Sequence, residues 1–485
     1  MKQNQVSLKK NFMMNAILTL SSLLFPLISF QYVSRIILPV GTGKVDFATS
    51  IIVYFNIIAQ LGMPLYGVRA IAKVRDDKEE LNRVAQELFL INIVMTIFSY
   101  IVLFIMAFAV TRFQQERTLL FIMSASILLS AIGMEWLYKG LEKYSFITLF
   151  SVLFKIIALI GMYLLIHVKE DYLIYGALSV LASSGAGIIN YLHARKLISF
   201  KKVGKYNFKR HLSAIGIFFA MACATQIYTH LDTVMLGFMK GDEEVGIYNA
   251  AVKIKIALVS LVTSLSAVLL PRSSYYVDHE MLDEFKRISS KALNFVVLLS
   301  IPLTVYFIIF AKESILFLSG DKYINGVIPM QIIMPTVICI GLTNIMGIQI
   351  LVPLNKEKTV LFSVLAGSII DLFINLLLIP GYGAVGAALG TLIAEIVVFV
   401  WQFIVLKEDI IGTFKRIPVV TILVALLIAI AISIWTKFLG WGSFKTLLVS
   451  ALLYYVAYYV TLLMAKVPIA IEMKDIVLSR FGKKK

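Results

Sequence analysis

Arg35, Lys155, Asp232, Lys253, Asp371 and Glu395 all stand inside, or at the ends of, runs of sequence that are otherwise apolar. A charge at such a position is costly unless it faces protein or water, so each is a candidate functional residue. Ammonium and guanidinium groups can hold an anion such as phosphate. Carboxylates can take up a proton or a small cation, or neutralise a neighbouring lysine. The densest case lies between Thr225 and Ser264, where IYTHLDTVMLGF and VGIYNAAVKIKIALVSLVTSLS both read as membrane-spanning yet carry Asp232, Lys253 and Lys255.

Helical spacing sorts these charges, because residues three, four and seven apart share a face. Lys253 shares its face with Asn249, Ala250, Ala257, Ser260 and Ser264, all small or polar. Lys255 points the other way, among Ala251, Val252, Leu258, Val259 and Val262. Lys253 is therefore expected in a cavity and Lys255 in a helix interface beside a carboxylate. Lys155 lies with Thr148, Ser151, Ala158 and Met162, and Asp232 with Thr225, Tyr228 and Thr229. Asp371 has Gly367, Ser368 and Asn375 on its side, and Glu395 has Thr391 and Gln402. The competing reading is that these charges are internal ion pairs that hold helices together. Arg35 ends the first span, as an interfacial anchor or as a gate or anion contact. Glu87 and Glu135 are expected at the membrane interface.

The elements that must carry these residues are membrane helices. The 485 residues are 60% hydrophobic and 15% charged, with a mean hydropathy of +0.89, whereas soluble domains carry about 25% charged residues. Fourteen spans of about 20 apolar residues are expected, at 11–34, 46–67, 84–110, 117–138, 145–167, 172–193, 213–238, 245–270, 288–311, 324–353, 359–379, 384–406, 417–437 and 444–465. The tenth is long enough to be tilted or broken. Alternate loops are rich in Lys and Arg, notably those around Arg69–Arg83 and Arg195–Arg210 and the tail ending in Lys483, Lys484 and Lys485. That pattern places both termini in the cytoplasm. The hydrophobic run behind MKQNQVSLKKNF continues past signal-peptide length and reads as a retained first helix.

Tyr32–Phe55 and His230–Ile256 share a plan of apolar run, Gly-containing turn and a Val opening the next helix, with Val45 and Val245 at matching points. Six helices separate the copies, so the halves have the same orientation, related by an axis along the membrane normal. The expected organisation is a six-helix bundle at 1–193, a basic cytoplasmic linker at 194–212, a second six-helix bundle at 213–406, and two further helices with a basic tail at 407–485.

Much chemistry is excluded. There is no GxxxxGK followed by Ser or Thr, no HExxH, no nucleophile elbow and no soluble insert large enough for a catalytic domain. Gly41-Thr42-Gly43 reads as only a turn. Cys223 and Cys339 fall within spans and have no metal-ligand spacing. No cofactor or metal site is expected. The net charge of +17 sits in short loops rather than a basic domain, so it does not point to nucleic acid.

The segments FQYVSRIILPVGTGKVDFATSIIVYF, LGMPLYGVRAIAKVRDDKEELNRV, MEWLYKGLEKYSFIT, THLDTVMLGFMKGDEEVGIYNAAVKI, VTSLSAVLLPRSSYY and GYGAVGAALGTLIAEIVVF resemble the Wzx-type polysaccharide repeat-unit flippases. These belong to the superfamily of multidrug, oligosaccharidyl-lipid and polysaccharide exporters. The resemblance covers nearly the whole chain. It implies two six-helix bundles around a central cavity, working by alternating access in a bacterial cytoplasmic membrane. The implied cargo is an undecaprenyl-diphosphate-linked oligosaccharide moved to the outer leaflet, with a polymerase and glycosyltransferases as partners. Lys155, Lys253 and Arg35 would then meet the diphosphate or sugars, and Asp232, Asp371 and Glu395 would couple ions or gate; no catalytic residue is implied. Two alternatives stay open: a cation-coupled drug-export antiporter of the same superfamily, kept alive by the buried carboxylates, and a membrane-embedded glycosyltransferase or polymerase, disfavoured by the short outer loops.

Overall fold

The computed structural model describes the backbone of residues 8–415 and 417–481, and the side chains of these apart from 8–9, 265–268, 271, 409–415 and 476–481. The first seven residues and the closing Lys483, Lys484 and Lys485 lie outside the described residues. Among those described, every regular element is helical. Lipid offers no partner for backbone N–H and C=O groups, and a helix satisfies them within one segment.

Among the described residues, twelve stretches are long and apolar enough to cross a membrane, and the pair Asp321–Ile333 and Thr336–Leu351, bent by 44°, makes a thirteenth. That pair is the tenth expected span, and it is indeed broken; its last part, Ile345–Leu351, is wound as a π-helix. The remaining difference from fourteen lies at the start. The spans expected at 11–34 and 46–67 run together as one helix, α1 (Leu8–Gln60), interrupted only at Leu38, with φ 61° and ψ 176°. Pro39 disfavours helical geometry in the residue before it and has no N–H to continue the ladder.

The chain divides into two compact units, Met1–Asn249 and Ala250–Lys485. In the first, α1 is followed by α2 (Met63–Val74), α3 (Lys78–Ala109), α4 (Thr111–Gln115), α5 (Arg117–Gly133), α6 (Glu135–Gly140), α7 (Tyr144–Leu165), α8 (Tyr172–Ser184), α9 (Ala186–Leu197) and α10 (Lys209–Met239). The unit closes with the first turns of α11 (Asp242–Asp278). Helix α1 is its axis and packs on α3, α5, α7, α8 and α10. Asn92 Nδ2 donates to the Ala59 carbonyl at 2.6 Å and Ser99 Oγ to that of Phe55 at 2.8 Å, pinning α3 to α1.

The two turns matched in sequence touch in this unit. A Cβ on Gly43 would lie 1.7 Å from the Asp242 carbonyl oxygen, and one on Gly246 would lie 2.1 Å from that of Pro39. Gly41-Thr42-Gly43 is thus not merely a turn: it is helical and forms a backbone-to-backbone contact. Two ion pairs flank it, Lys44 with Glu116 and Arg112 with Asp242.

The second unit continues with α12 (Leu282–Ile309), α13 (Ala311–Ser319), α14 (Val327–Ile333), α15 (Thr336–Asn344), α16 (Glu357–Tyr382), α17 (Ala384–Lys415), α18 (Val419–Ser433), α19 (Ser443–Met464) and α20 (Pro468–Phe481). Helices α16 and α17 form a tight hairpin, as do α18 and α19. A tyrosine ladder ties α19 to α12: Tyr454 donates to the Pro302 carbonyl at 3.1 Å and Tyr458 to the Leu298 carbonyl at 3.2 Å. Pro302 has no N–H to offer the carbonyl four residues back, and the Tyr458 hydroxyl supplies that missing donor.

Candidate functional site

In the first unit, α7 holds Lys155 nine-tenths buried against α1. Its ammonium donates to Ser21 Oγ at 3.0 Å and Ser22 Oγ at 2.7 Å. The seam is polar along its length, with Thr148 Oγ1 donating to the Met14 carbonyl at 3.1 Å and Tyr32 donating to that of Ile166 at 3.0 Å. Two neutral hydroxyls solvate the charge without neutralising it. An ammonium has three donors, and these hydroxyls take two of them.

Asp232, on α10, is 6% exposed and accepts from the Tyr248 hydroxyl on the first turns of α11. Beside it Thr233 and Asn249 bond at 3.3 Å. Lys155 and Asp232 thus have different neighbours on different helices. Arg35 is exposed on α1, with its guanidinium turned back onto the Gln31 carbonyl.

In the second unit, Lys253 and Lys255 are both half-buried, so exposure does not separate them as the face test does. Asp371 (1% exposed) and Asn375 (fully buried) project from α16 toward Gly390 of α17. A Cβ at 390 would sit 2.2 Å from Asn375 Oδ1 and 3.0 Å from Asp371 Oδ1, so the missing side chain makes their room. Glu395, Thr391 and Gln402 line the same helix, all buried, and Gln402 Nε2 donates to Ser363 Oγ on α16 at 3.0 Å. The α16–α17 seam is therefore a polar stripe inside an apolar hairpin, with two carboxylates in it.

The profile of the polysaccharide biosynthesis protein family matches residues 8–277, more than half of the chain. The chain belongs to that family. Along 406 residues this family member is 26% identical to a protein of Escherichia coli K12 named "Putative O-antigen transporter", over 82% of the chain and 96% of that protein. It is 28% identical over 171 residues to "Probable flippase AglR" of Haloferax volcanii, which is 34% of the chain. Among solved structures its fold is shared with lipid II flippase MurJ in an inward closed conformation, at a TM-score of 0.68 and 16% identity, covering 95% of the chain and all of that one. An inward-facing multidrug MATE transporter of the MOP superfamily follows at 0.65 and 12% identity, over 84% of the chain and 99% of that one. Family and fold agree with the resemblance seen in the sequence segments, and the chain is a multi-pass membrane protein.

Sequence reasoning missed one cluster in this family member. Glu87, expected at the interface, is completely buried. It accepts from the Asn207 backbone N–H at 2.6 Å and from Arg210 Nε and Nη2 at 2.9 and 2.6 Å, and it meets His211 Nε2 at 2.7 Å. The Tyr66 hydroxyl lies 2.6 Å from His211 Nδ1. The cluster ties the end of the basic linker and the start of α10 to α2 and α3. A lone Glu one turn inside a span, with Arg-His more than a hundred residues on, carries no local signal for such a contact. Elsewhere, Arg75 pairs with Glu142 at 2.6 Å, and that hydrogen bond pushes the guanidinium pKa still higher.

Proposed function

We propose that the chain flips undecaprenyl-diphosphate-linked oligosaccharide repeat units from the cytoplasmic to the outer leaflet of a bacterial plasma membrane, by alternating access. The observation that carries this reading is the similarity, along 82% of the chain, to proteins named O-antigen transporters. The physical chemistry is compatible. A lipid-linked glycan needs a wet, polar site for its headgroup, and Lys155, hydrogen-bonded to two neutral serines, suits a diphosphate that must later leave. In this reading Lys155, Lys253 and Arg35 contact the diphosphate or sugars, while Asp232, Asp371 and Glu395 couple an ion or gate. Residues 1–193 and 213–406 act as the two moving bundles, joined by 194–212, with 407–485 added outside them. Both termini are cytoplasmic. A polymerase and glycosyltransferases work on either side of the step. No reaction is performed on the cargo.

The test is reconstitution. Purified chain in vesicles loaded with undecaprenyl-diphosphate-linked oligosaccharide should speed the glycan's exposure to an added glycosidase; no acceleration over empty vesicles overturns the proposal. The second reading, a cation-coupled drug exporter, is favoured by the two buried carboxylates of the α16–α17 seam. It predicts ion-driven efflux of organic cations that disappears in Asp371→Asn.

A further inference from the structure

The second unit carries a cleft of about 450 Å³ between the end of α11, the start of α12 and α20. None of the charges assigned above lines it. Its charged residues are Arg272 of α11, Glu284, Arg287 and Lys291 of α12, and Glu472 of α20. Most of the remaining wall is apolar, with Leu269, Ile288, Phe295, Ile469 and Met473. Along α12 the charged sequence LDEFKRISSK gives way to ALNFVVLLSIPL at this level. The cleft therefore sits where the helices leave the apolar layer. In the topology proposed above, that is the cytoplasmic side.

The charges are unevenly matched. Arg287 pairs with Glu284 at 2.7 Å, one turn away on the same helix, and Lys291 donates to both Glu472 carboxylate oxygens at 3.1 and 3.2 Å. Among the described residues no carboxylate meets Arg272, which is exposed. Three cations against two carboxylates leave the cleft one positive charge. A guanidinium fork fits two phosphate oxygens at once. A single positive charge matches a phosphodiester, which has one negative charge, better than it matches the diphosphate of the proposed cargo. The apolar wall beside it suits a ligand with hydrocarbon attached to its phosphate. The volume equals about fifteen waters at ~30 Å³ each, room for a glycerophosphate head and the first methylenes of its chains. The cytoplasmic leaflet carries anionic lipids, which arginine and lysine attract at its surface.

We propose that this cleft binds one monoanionic glycerophospholipid of the cytoplasmic leaflet, its phosphate on Arg272 and its chains along Ile288, Phe295 and Ile469. Such a lipid bridges α20 to α11 and α12, adding to the exposed Lys291–Glu472 pair. The lipid is not the cargo, so a failed transport assay leaves this site untouched.

Full-length protein, delipidated in a neutral detergent and titrated with dioctanoyl phosphatidylglycerol, should show a saturable rise in unfolding temperature. Dioctanoyl phosphatidylcholine and inorganic phosphate should give none. Arg272→Ala should weaken the apparent affinity for phosphatidylglycerol about tenfold, the worth of one charge-assisted contact. Lys205→Ala, which removes an exposed charge from the basic linker, should leave it unchanged. Glu284→Gln frees Arg287 without touching α20, and should tighten binding about threefold, the scale of one exposed charge. No saturable response to phosphatidylglycerol overturns the proposal, as does unchanged affinity in Arg272→Ala. An equal response to phosphatidylcholine would mean that hydrocarbon alone is recognised, and an equal response to inorganic phosphate a site for free anions. Equal losses in Arg272→Ala and Lys205→Ala would mean diffuse surface charge. Each of these also overturns it. Should Arg272→Ala not unfold cooperatively, Glu284→Gln decides alone, and affinity that stays the same or falls overturns the site.

Discussion

A lysine buried against two serines is an unusual expense of hydration for a purely structural contact, since a serine or threonine could bridge the same seam without a charge. Lys155→Ala and Lys253→Ala should therefore each slow appearance of lipid-linked glycan in the outer leaflet by about tenfold, ~1.4 kcal/mol of lost transition-state interaction, with expression maintained. A double variant that translocates normally would remove both lysines from the site. Glu87 belongs to the opposite class. It accepts four contacts in full burial, and removing its charge leaves Arg210 and His211 facing a neutral amide. Glu87→Gln should lower stability in detergent by about 3 kcal/mol and speed limited proteolysis within 194–212. Unchanged proteolysis would show that the linker is held by something else. These residues were unequally legible. Lys155 announced itself as a charge in an apolar run, but its serine partners lie over 130 residues away. Glu87 sat close enough to a span end to read as interfacial.

At the scale of helices, the clearest case is Pro302. Tyr458→Phe should cost about 1–2 kcal/mol, because the Leu298 carbonyl then loses its donor in a medium without water. In a Pro302→Ala background the helix supplies that donor itself, and the same Tyr458→Phe change should be nearly neutral. Thermal unfolding of the four proteins measures the coupling, and simple additivity would exclude it. Glycines give a second contrast. Gly43→Ala drives a Cβ into the Asp242 carbonyl, a backbone atom that cannot swing aside, and should destabilise by about 3 kcal/mol. Gly216 on α10 has nothing within 4 Å of its missing Cβ, so Gly216→Ala should be neutral or stabilise by up to ~1 kcal/mol through helix propensity. Sequence spacing alone reads both simply as glycines. Only the neighbour across the gap distinguishes them.

For the whole molecule, the alternation of basic loops predicts which side each loop occupies. In a Cys223→Ser, Cys339→Ser background, a cysteine at Lys202 should resist a membrane-impermeant thiol reagent on intact cells and react after permeabilisation, while one at Lys169 should react at once. The reverse pattern would invert the topology. Composition, run length and charge alternation determined that this is a polytopic helical membrane protein, because burial in lipid acts on each segment separately and leaves its mark in contiguous sequence. The break at Leu38 follows from Pro39, and the bend of the tenth span falls at Pro335, both local causes. What needed the tertiary structure was every feature made by two distant segments: the serine shell of Lys155, the Glu87 cluster, the Gly43–Asp242 contact and the cleft that 269–295 share with 469–473. Helical periodicity says which side of a helix a residue occupies. Which helix comes to face it is settled only when side chains hundreds of residues apart pack together.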